Sequence, residues 1–303
     1  MNIVLTGSLG NIGKPLTKEL IQKGHSVTVI SSKEERIAAI EALGAKAAIG
    51  SMFDTEFLTE AFTGADIVYL METMEAAGDL FDKNIDFIGK ISEIGRYYKT
   101  AVERSGVKKI VHLSSIGAHT DQGTGIIVFH HHVEQILKQL PDDIAIKFIR
   151  PVGIYFNMLS FIHTIKNKGA IVSNWGGDQK EPWVSPLDIA EAVAEEIEKP
   201  FDGRTIRYVA SDEVSPNEIA KALGESIGKP DLQWKVISDE ELLQNWLHVG
   251  FNEQVAQGFV ETQASQGSRI LYEDYYRHQP TLGKVKLADF AKEFAAAYQN
   301  EEV

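Results

Sequence analysis

Three glycines, Gly7, Gly10 and Gly13, follow directly on the apolar run Ile3-Val4-Leu5 and precede an amphipathic stretch that starts at Lys14. A strand, a tight glycine turn and a helix in that order make an anion cradle. Glycine lets the backbone turn sharply and come close to a pyrophosphate, and a helix N-terminus offers that anion unpaired N–H groups and positive potential. The spacing is not the literal G-x-G-x-x-G, but its position after the first strand and before the first helix is the context that motif requires. Thr6, Gly7, Leu9, Gly10, Asn11, Ile12 and Gly13 would form the cradle, and Gly13 would let the helix pack close to the strand. The ligand expected there is a nicotinamide dinucleotide, NAD(P)(H).

The next chemistry-bearing residues choose between its two forms. An acid about 20 residues beyond the loop would bind the adenosine ribose 2′-OH of NAD. The second apolar run ends Val29-Ile30-Ser31-Ser32-Lys33, with no carboxylate at 30–33. Ser31, Ser32, Lys33 and Arg36 offer hydroxyl and cationic donors for a 2′-phosphate instead. NADP(H) is therefore the preferred cofactor and NAD(H) the alternative. Ser32-Lys33-Glu34-Glu35 also matches a capping box, with Ser32 as N-cap, and the two roles are compatible.

Further along, Ser114 and Ser115 end an apolar run at the edge where such sheets hold ligands. Arg150 ends another run, where it would hold an anion or brace the second half of the chain through an acid. His130-His131-His132 suggests a metal, but adjacent helical side chains point about 100° apart and do not converge, so no metal site is expected. Tyr155 would be either an acid for the reaction or an apolar wall. The aromatic stretch Leu271–His278 would line an aromatic substrate pocket or serve as surface or subunit contact.

These residues need a scaffold, and the first half of the chain supplies one. Short β-branched runs at Asn2–Thr6, Ser26–Ile30, Ala45–Ile49, Asp66–Leu70, Lys109–Leu113 and Ile144–Ile149 alternate with periodic segments. Those segments are Lys14–Lys23, Glu34–Leu43, Asp54–Phe62, Leu80–Ser105 and Val133–Leu140. Near-continuous apolar strands between helices predict an α/β fold with a buried, doubly wound parallel sheet of the Rossmann type. Residues 1–153 would form that domain, with a returning strand near 204–210. Residues 154–303 would form a smaller, mainly helical substrate or lid domain, with helix starts at Ser185-Pro186 and Ser215-Pro216.

Composition narrows the class. The 303 residues are 44% hydrophobic, enough for a sizeable core, and no apolar run is long enough to span a membrane. No secretory signal is visible at the start, so the expected location is cytoplasmic. The chain has no cysteine, which excludes disulfides, thiolate metal sites and thiol nucleophiles. A net charge of −13 argues against nucleic acid as a partner, and leaves a small-molecule substrate or a protein partner.

The chain resembles the NmrA-like branch of the short-chain dehydrogenase/reductase superfamily over nearly its whole length. The resemblance rests on Thr6-Gly7-x-x-Gly10-x-x-Gly13, on Lys109-Ile110-Val111-His112-Leu113-Ser114-Ser115, on Phe148-Ile149-Arg150-Pro151-x-Gly153-x-Tyr155-Phe156-Asn157, and on Pro182-Trp183-Val184-Ser185-Pro186-x-Asp188-Ile189-Ala190. It implies that Gly50-Ser51-Met52-Phe53-Asp54 lies against the adenine. It also implies that Leu70-Met71-Glu72-Thr73 runs along the cofactor, and that Ser51, Met52, Met71, Ser114, His130 and Pro151 join its contacts. Ser114 would be catalytic.

Superfamily enzymes use a Tyr-x-x-x-Lys pair after the fifth strand. Aligned on Val133-Glu134, the lysine position falls on His130 and the tyrosine position on Ile126. Shifted by one, the pair becomes Ile127 and His131, so neither register holds a tyrosine. The usual proton donor is missing, leaving Ser114, His130 and Tyr155 as the catalytic candidates, with His130 a proton shuttle or ribose ligand. The favoured expectation is an NADPH-dependent reductase of a small electrophile such as a quinone. The alternative is a non-enzymatic NADP(H) redox sensor that binds a protein partner. Epimerase or dehydratase chemistry is disfavoured, since both rely on the missing tyrosine.

Overall fold

The computed structural model describes residues 1–300. The first half runs β1 (Asn2–Leu5), α1 (Gly13–Gln22), β2 (Ser26–Ser31), α2 (Ile37–Glu41), β3 (Lys46–Ile49), α3 (Thr55–Phe62), β4 (Ile67–Leu70), α4 (Met74–Ala77), α5 (Phe87–Ser105), β5 (Lys109–Leu113), α6 (Val128–Leu137) and β6 (Ala145–Pro151). Then follow β7 (Gly153–Ile154), α7 (Phe161–Lys168), β8 (Ile171–Ser173), β9 (Glu181–Val184), α8 (Pro186–Glu198) and β10 (Arg204–Val209). The chain continues through β11 (Asp212–Val214), α9 (Pro216–Ser226), β12 (Trp234–Val236), α10 (Asp239–Val249), α11 (Glu253–Ser268), α12 (Glu273–Arg277) and α13 (Leu287–Asn300).

Seven parallel strands form one sheet in the order β10-β6-β5-β4-β1-β2-β3. The order reverses between β1 and β4, so a crevice opens at the carboxyl ends of those two strands. Alternate residues feed two cores. Ile3, Leu5, Val29, Tyr69, Val111 and Ile149 pack with α1 and α8, while Val4, Ile30, Val68, Leu70, Ile110 and Phe148 pack with α3, α5 and α6. Burial on both faces is why these strands read as continuous apolar runs. A third core joins Trp175, Trp183 and Trp234 to Phe290 and Phe294 of α13. No described helix is long and apolar enough to cross a membrane.

Three local expectations are corrected. The Leu80–Ser105 helix begins only at Phe87, because the Asp79 and Asp82 carboxylates accept from the Phe81 and Asn84 N–H groups and hold 79–84 in turns. The Val133–Leu140 helix begins earlier, at Val128. Ser32 does not cap a helix. Lys33 precedes a short 3-10 turn at Glu34–Arg36, and the Lys33 N–H bonds the Ser31 hydroxyl at 3.2 Å. The second half is mainly helical as expected, and it also carries five short strands in two small sheets. The Ser185 and Ser215 helix starts form as expected, and Ser215 closes a reciprocal capping box with Glu218.

Candidate functional site

The loop between β1 and α1 occupies the crevice. Gly7 takes φ +85, and a Cβ there would stand 2.2 Å from the Met71 sulfur. Gly13 meets the loop's own backbone: a Cβ would lie 2.1 Å from the Ser8 carbonyl oxygen. Ser8 is held at φ +56, and its N–H and hydroxyl reach Ile30 and Ser31 on β2. Ile12, at the start of α1, gives that terminus no side-chain cap; the Gly10 carbonyl takes the Lys14 N–H and Pro15 has none, which leaves the Gly13 N–H for an anion.

Beside the loop lies a cavity of 390 Å³. Gly7, Leu9, Gly10, Ser31, Ser32, Lys33, Ser51 and Met52 line it, as the sequence led one to expect, together with Ile30, Arg36, Gly50 and Phe53. Its fourth side is formed by Thr73, from the segment the resemblance set along the cofactor, and by Glu75 and Ala76, which no motif marked. Lys33 Nζ sits 2.6 Å from a Glu75 carboxylate oxygen. Asp54 caps α3 through the Glu56 and Phe57 N–H groups and so fixes the Ser51–Phe53 wall. A volume of this size, bounded by a helix terminus and two cations, suits a phosphorylated nucleoside.

Other expected contacts have different occupations. Thr6 is fully buried, and its hydroxyl pairs with the Met71 backbone, tying β1 to β4 rather than facing a ligand. Asn11, Ile12 and Met71 stand on the loop or its rim, outside the cavity lining. Pro151 is buried in β6, with its carbonyl accepting from the Ile116 N–H.

Ser114 does not offer its proton to a substrate. Its hydroxyl donates to Glu134 at 2.6 Å, and Glu134 in turn receives a bidentate grip from Arg150, Nε at 2.9 Å and Nη2 at 2.7 Å. Arg150 Nη1 reaches Tyr208 and Asp274 of α12, both at 3.0 Å. Arg150 thus braces the second half of the chain through an acid, one of the two roles its position suggested. Burial alone would raise the Glu134 carboxyl, but the Arg150 guanidinium wins and holds it at about 2.

The three histidines diverge. His131 Nδ1–H donates to the Ala118 carbonyl, and His132 pairs with Ser92 on α5. His130 packs on Phe129 with ring centroids 4.0 Å apart, and its buried Nδ1 has no hydrogen-bond partner. Burial, reinforced by His112, pushes it down to about 3. It stays uncharged at neutral pH, which corrects the expectation of a proton shuttle there. A pair that no motif signalled lies nearby. His112 Nε2–H donates to both oxygens of Glu72, at 3.1 and 3.2 Å, with both side chains fully enclosed. Only strand register could have hinted at it, since Leu70 lies opposite His112 across β4 and β5.

Tyr155 is a core residue rather than an acid facing a substrate. It is fully buried between Trp183 and Phe290, with its hydroxyl unpartnered. The aromatic stretch before His278 is likewise core, for Tyr272 and Tyr275 are buried and Tyr275 packs edge-on against Tyr208. A larger groove of 1190 Å³ runs along β10 and α8. Several of its charges pair with one another, Arg207 and Lys147 with Glu196 and Lys284 with Glu191.

Sheet order, glycine loop and crevice together define a dinucleotide-type Rossmann architecture. The chain belongs to the NmrA-like family, whose model matches residues 1–290. It is similar in structure to the NADPH-dependent quinone oxidoreductase of Escherichia coli, solved with NADPH (TM-score 0.79, 20% identity, 96% of this chain and 99% of that one). It is also similar to the triphenylmethane reductase of a Citrobacter species (TM-score 0.75, 19% identity, 98% and 100%). In sequence it matches the sterol demethylase protein B of Methylococcus capsulatus at 25% identity, covering 58% of this chain and 53% of that one. The chain spans about half or less of the length of the curated relatives it matches.

Proposed function

We propose that the chain is an NADPH-dependent reductase of a small electrophile, such as a quinone, whose reduced form needs no proton donor from the protein. The observation that carries this reading is the cavity wall, where Ser32, Lys33 and Arg36 stand without an acid on the strand end that would otherwise bind a ribose 2′-OH. The uncapped start of α1 and the Gly7–Gly13 turn fit a pyrophosphate. Bound NADPH supplies a hydride. Around the place where it would act, this chain holds back its protons: Ser114 gives its own to Glu134, His130 is uncharged, and Tyr155 lies in another core. A ketone whose alkoxide must be protonated as it forms is poorly served by such a site, whereas a quinol oxyanion is stable enough to leave unaided. The structural likeness to a quinone oxidoreductase and to a triphenylmethane reductase agrees with this choice.

The test is oxidation of NADPH, followed by nicotinamide absorbance, against a panel of quinones and simple ketones. Turnover with quinones, little with ketones, and an unchanged rate in Tyr155→Phe are expected. Efficient ketone reduction lost in Tyr155→Phe would contradict the reading. A redox-sensor reading is favoured by one observation. Helix α4, which lines the cavity, continues into a segment latched to the C-terminal helices, where Asn252 N–H donates to Leu80 and Lys83 to Gly250 and Phe251. Tight binding without turnover on any acceptor would support that second reading.

A further inference from the structure

The carboxylate of Glu75 stands on the cations that the proposed function gives to the cofactor's 2′-phosphate. Thr73 sets it there: its hydroxyl caps α4 by accepting from the Ala76 N–H at 3.2 Å, and Glu75 projects from that first turn. Its Oε1 lies 2.6 Å from Lys33 Nζ, and Glu75, Lys33 and Arg36 all line the same 390 Å³ cavity. The hydrogen bond from Lys33, then the charges of Lys33 and Arg36, hold the Glu75 carboxyl below its ordinary range. The pair is open to water, with side chains 45% and 77% exposed, so it breaks at little cost. A phosphate carries more charge and more acceptor oxygens than a carboxylate and outcompetes it on a lysine.

We propose that Glu75 is an internal competitor for the anion site, paired with Lys33 when the cavity is empty and displaced by a 2′-phosphate. This rests on the reading that Lys33 and Arg36 receive that phosphate. Glu75 then determines specificity. It opposes NADP(H), which must take Lys33 from it and then lie beside a like charge, and leaves NAD(H) nearly untouched, since that ligand makes no claim on Lys33.

Calorimetric titration of the wild-type chain, Glu75→Gln, Glu75→Ala and Lys33→Met with NADPH and NADH tests the proposal. Glu75→Gln and Glu75→Ala are each expected to bind NADPH about fivefold tighter and NADH within about twofold of wild type, with the gain shrinking as salt is raised. NADPH affinity unchanged or weakened in both Glu75 variants would overturn it. So would NADH weakened with it, which would make Glu75 a partner of ribose hydroxyls. If Lys33→Met leaves NADPH binding unchanged, the phosphate-site reading itself fails and takes the proposal with it. If Lys33→Met weakens NADPH binding while the Glu75 variants match wild type, the proposal fails alone.

Discussion

Arg150→Met destabilises the chain by about 3–5 kcal/mol, which lowers Tm by on the order of 10 °C. Arg150 is only 2% exposed and Glu134 is fully buried, so the variant strands a carboxylate that keeps only Lys138 and Ser114 as partners. It also removes the ion pair between the sheet and Asp274 on α12, leaving the Tyr208 hydroxyl as that carboxylate's bond to the sheet. The sign of the pH dependence follows from Glu134. In the wild type its carboxyl is depressed to about 2 from an ordinary 4.5, so its contribution is present above about 4.5 and is lost as pH falls toward 2. In the variant, only Ser114 and Lys138 are left to oppose burial. The deficit is therefore largest at neutral pH and narrows as pH falls toward 2. Thermal melts of both proteins across that window check this. An equal deficit throughout would mean lost packing, not a stranded charge. Adding Glu134→Gln to Arg150→Met should recover part of the loss, because it removes the unpaired charge.

Gly13→Ala weakens dinucleotide binding roughly 10- to 100-fold, the range expected when a methyl group is forced into closed packing. The new Cβ would meet the Ser8 carbonyl oxygen at 2.1 Å, and backbone cannot swing aside as a side-chain tip does. The loop must shift, taking with it the Gly7 and Ser8 conformations at φ +85 and +56 that shape the cradle. Gly10→Ala is the control for stability. Its Cβ touches only the Gly7 carbonyl, at 3.8 Å, so Tm should not move, whereas in Gly13→Ala it falls by a few degrees. Calorimetry for binding and melts for stability separate the two effects. Undiminished binding in Gly13→Ala would place the ligand elsewhere.

The sheet was legible because its central strands are buried on both faces, and apolar runs such as Ile67–Leu70 and Lys109–Leu113 have few other uses. The phosphate loop was legible because glycine is demanded by backbone geometry, which a sequence displays directly. Side-chain partnerships were harder. Ser114 ends its strand where expected, yet its proton goes to Glu134, a residue twenty positions on that reads as an ordinary helical acid. Tyr155 follows the Arg150-Pro151 signature closely, but the turn after β7 sends it into the tryptophan core. Glu75 and the Glu72–His112 pair come from the segment after β4, whose approach to β2 and β5 is set by sheet order rather than by any local pattern. The start of α5 was misplaced because Asp79 and Asp82 close turns that helical periodicity does not register.

The central claim is that the crevice beside Gly7–Gly13 binds a nicotinamide dinucleotide and that Lys33 and Arg36 recognise its 2′-phosphate. Calorimetric titration of the wild-type chain with NADPH and with NADH, repeated with the double variant Lys33→Met/Arg36→Met, tests it most directly. Tighter binding of NADPH than of NADH is expected in the wild type, with loss of that preference in the variant and NADH affinity retained. Tighter binding of NADH by the wild type, or a preference for NADPH that survives removal of both cations, would contradict it.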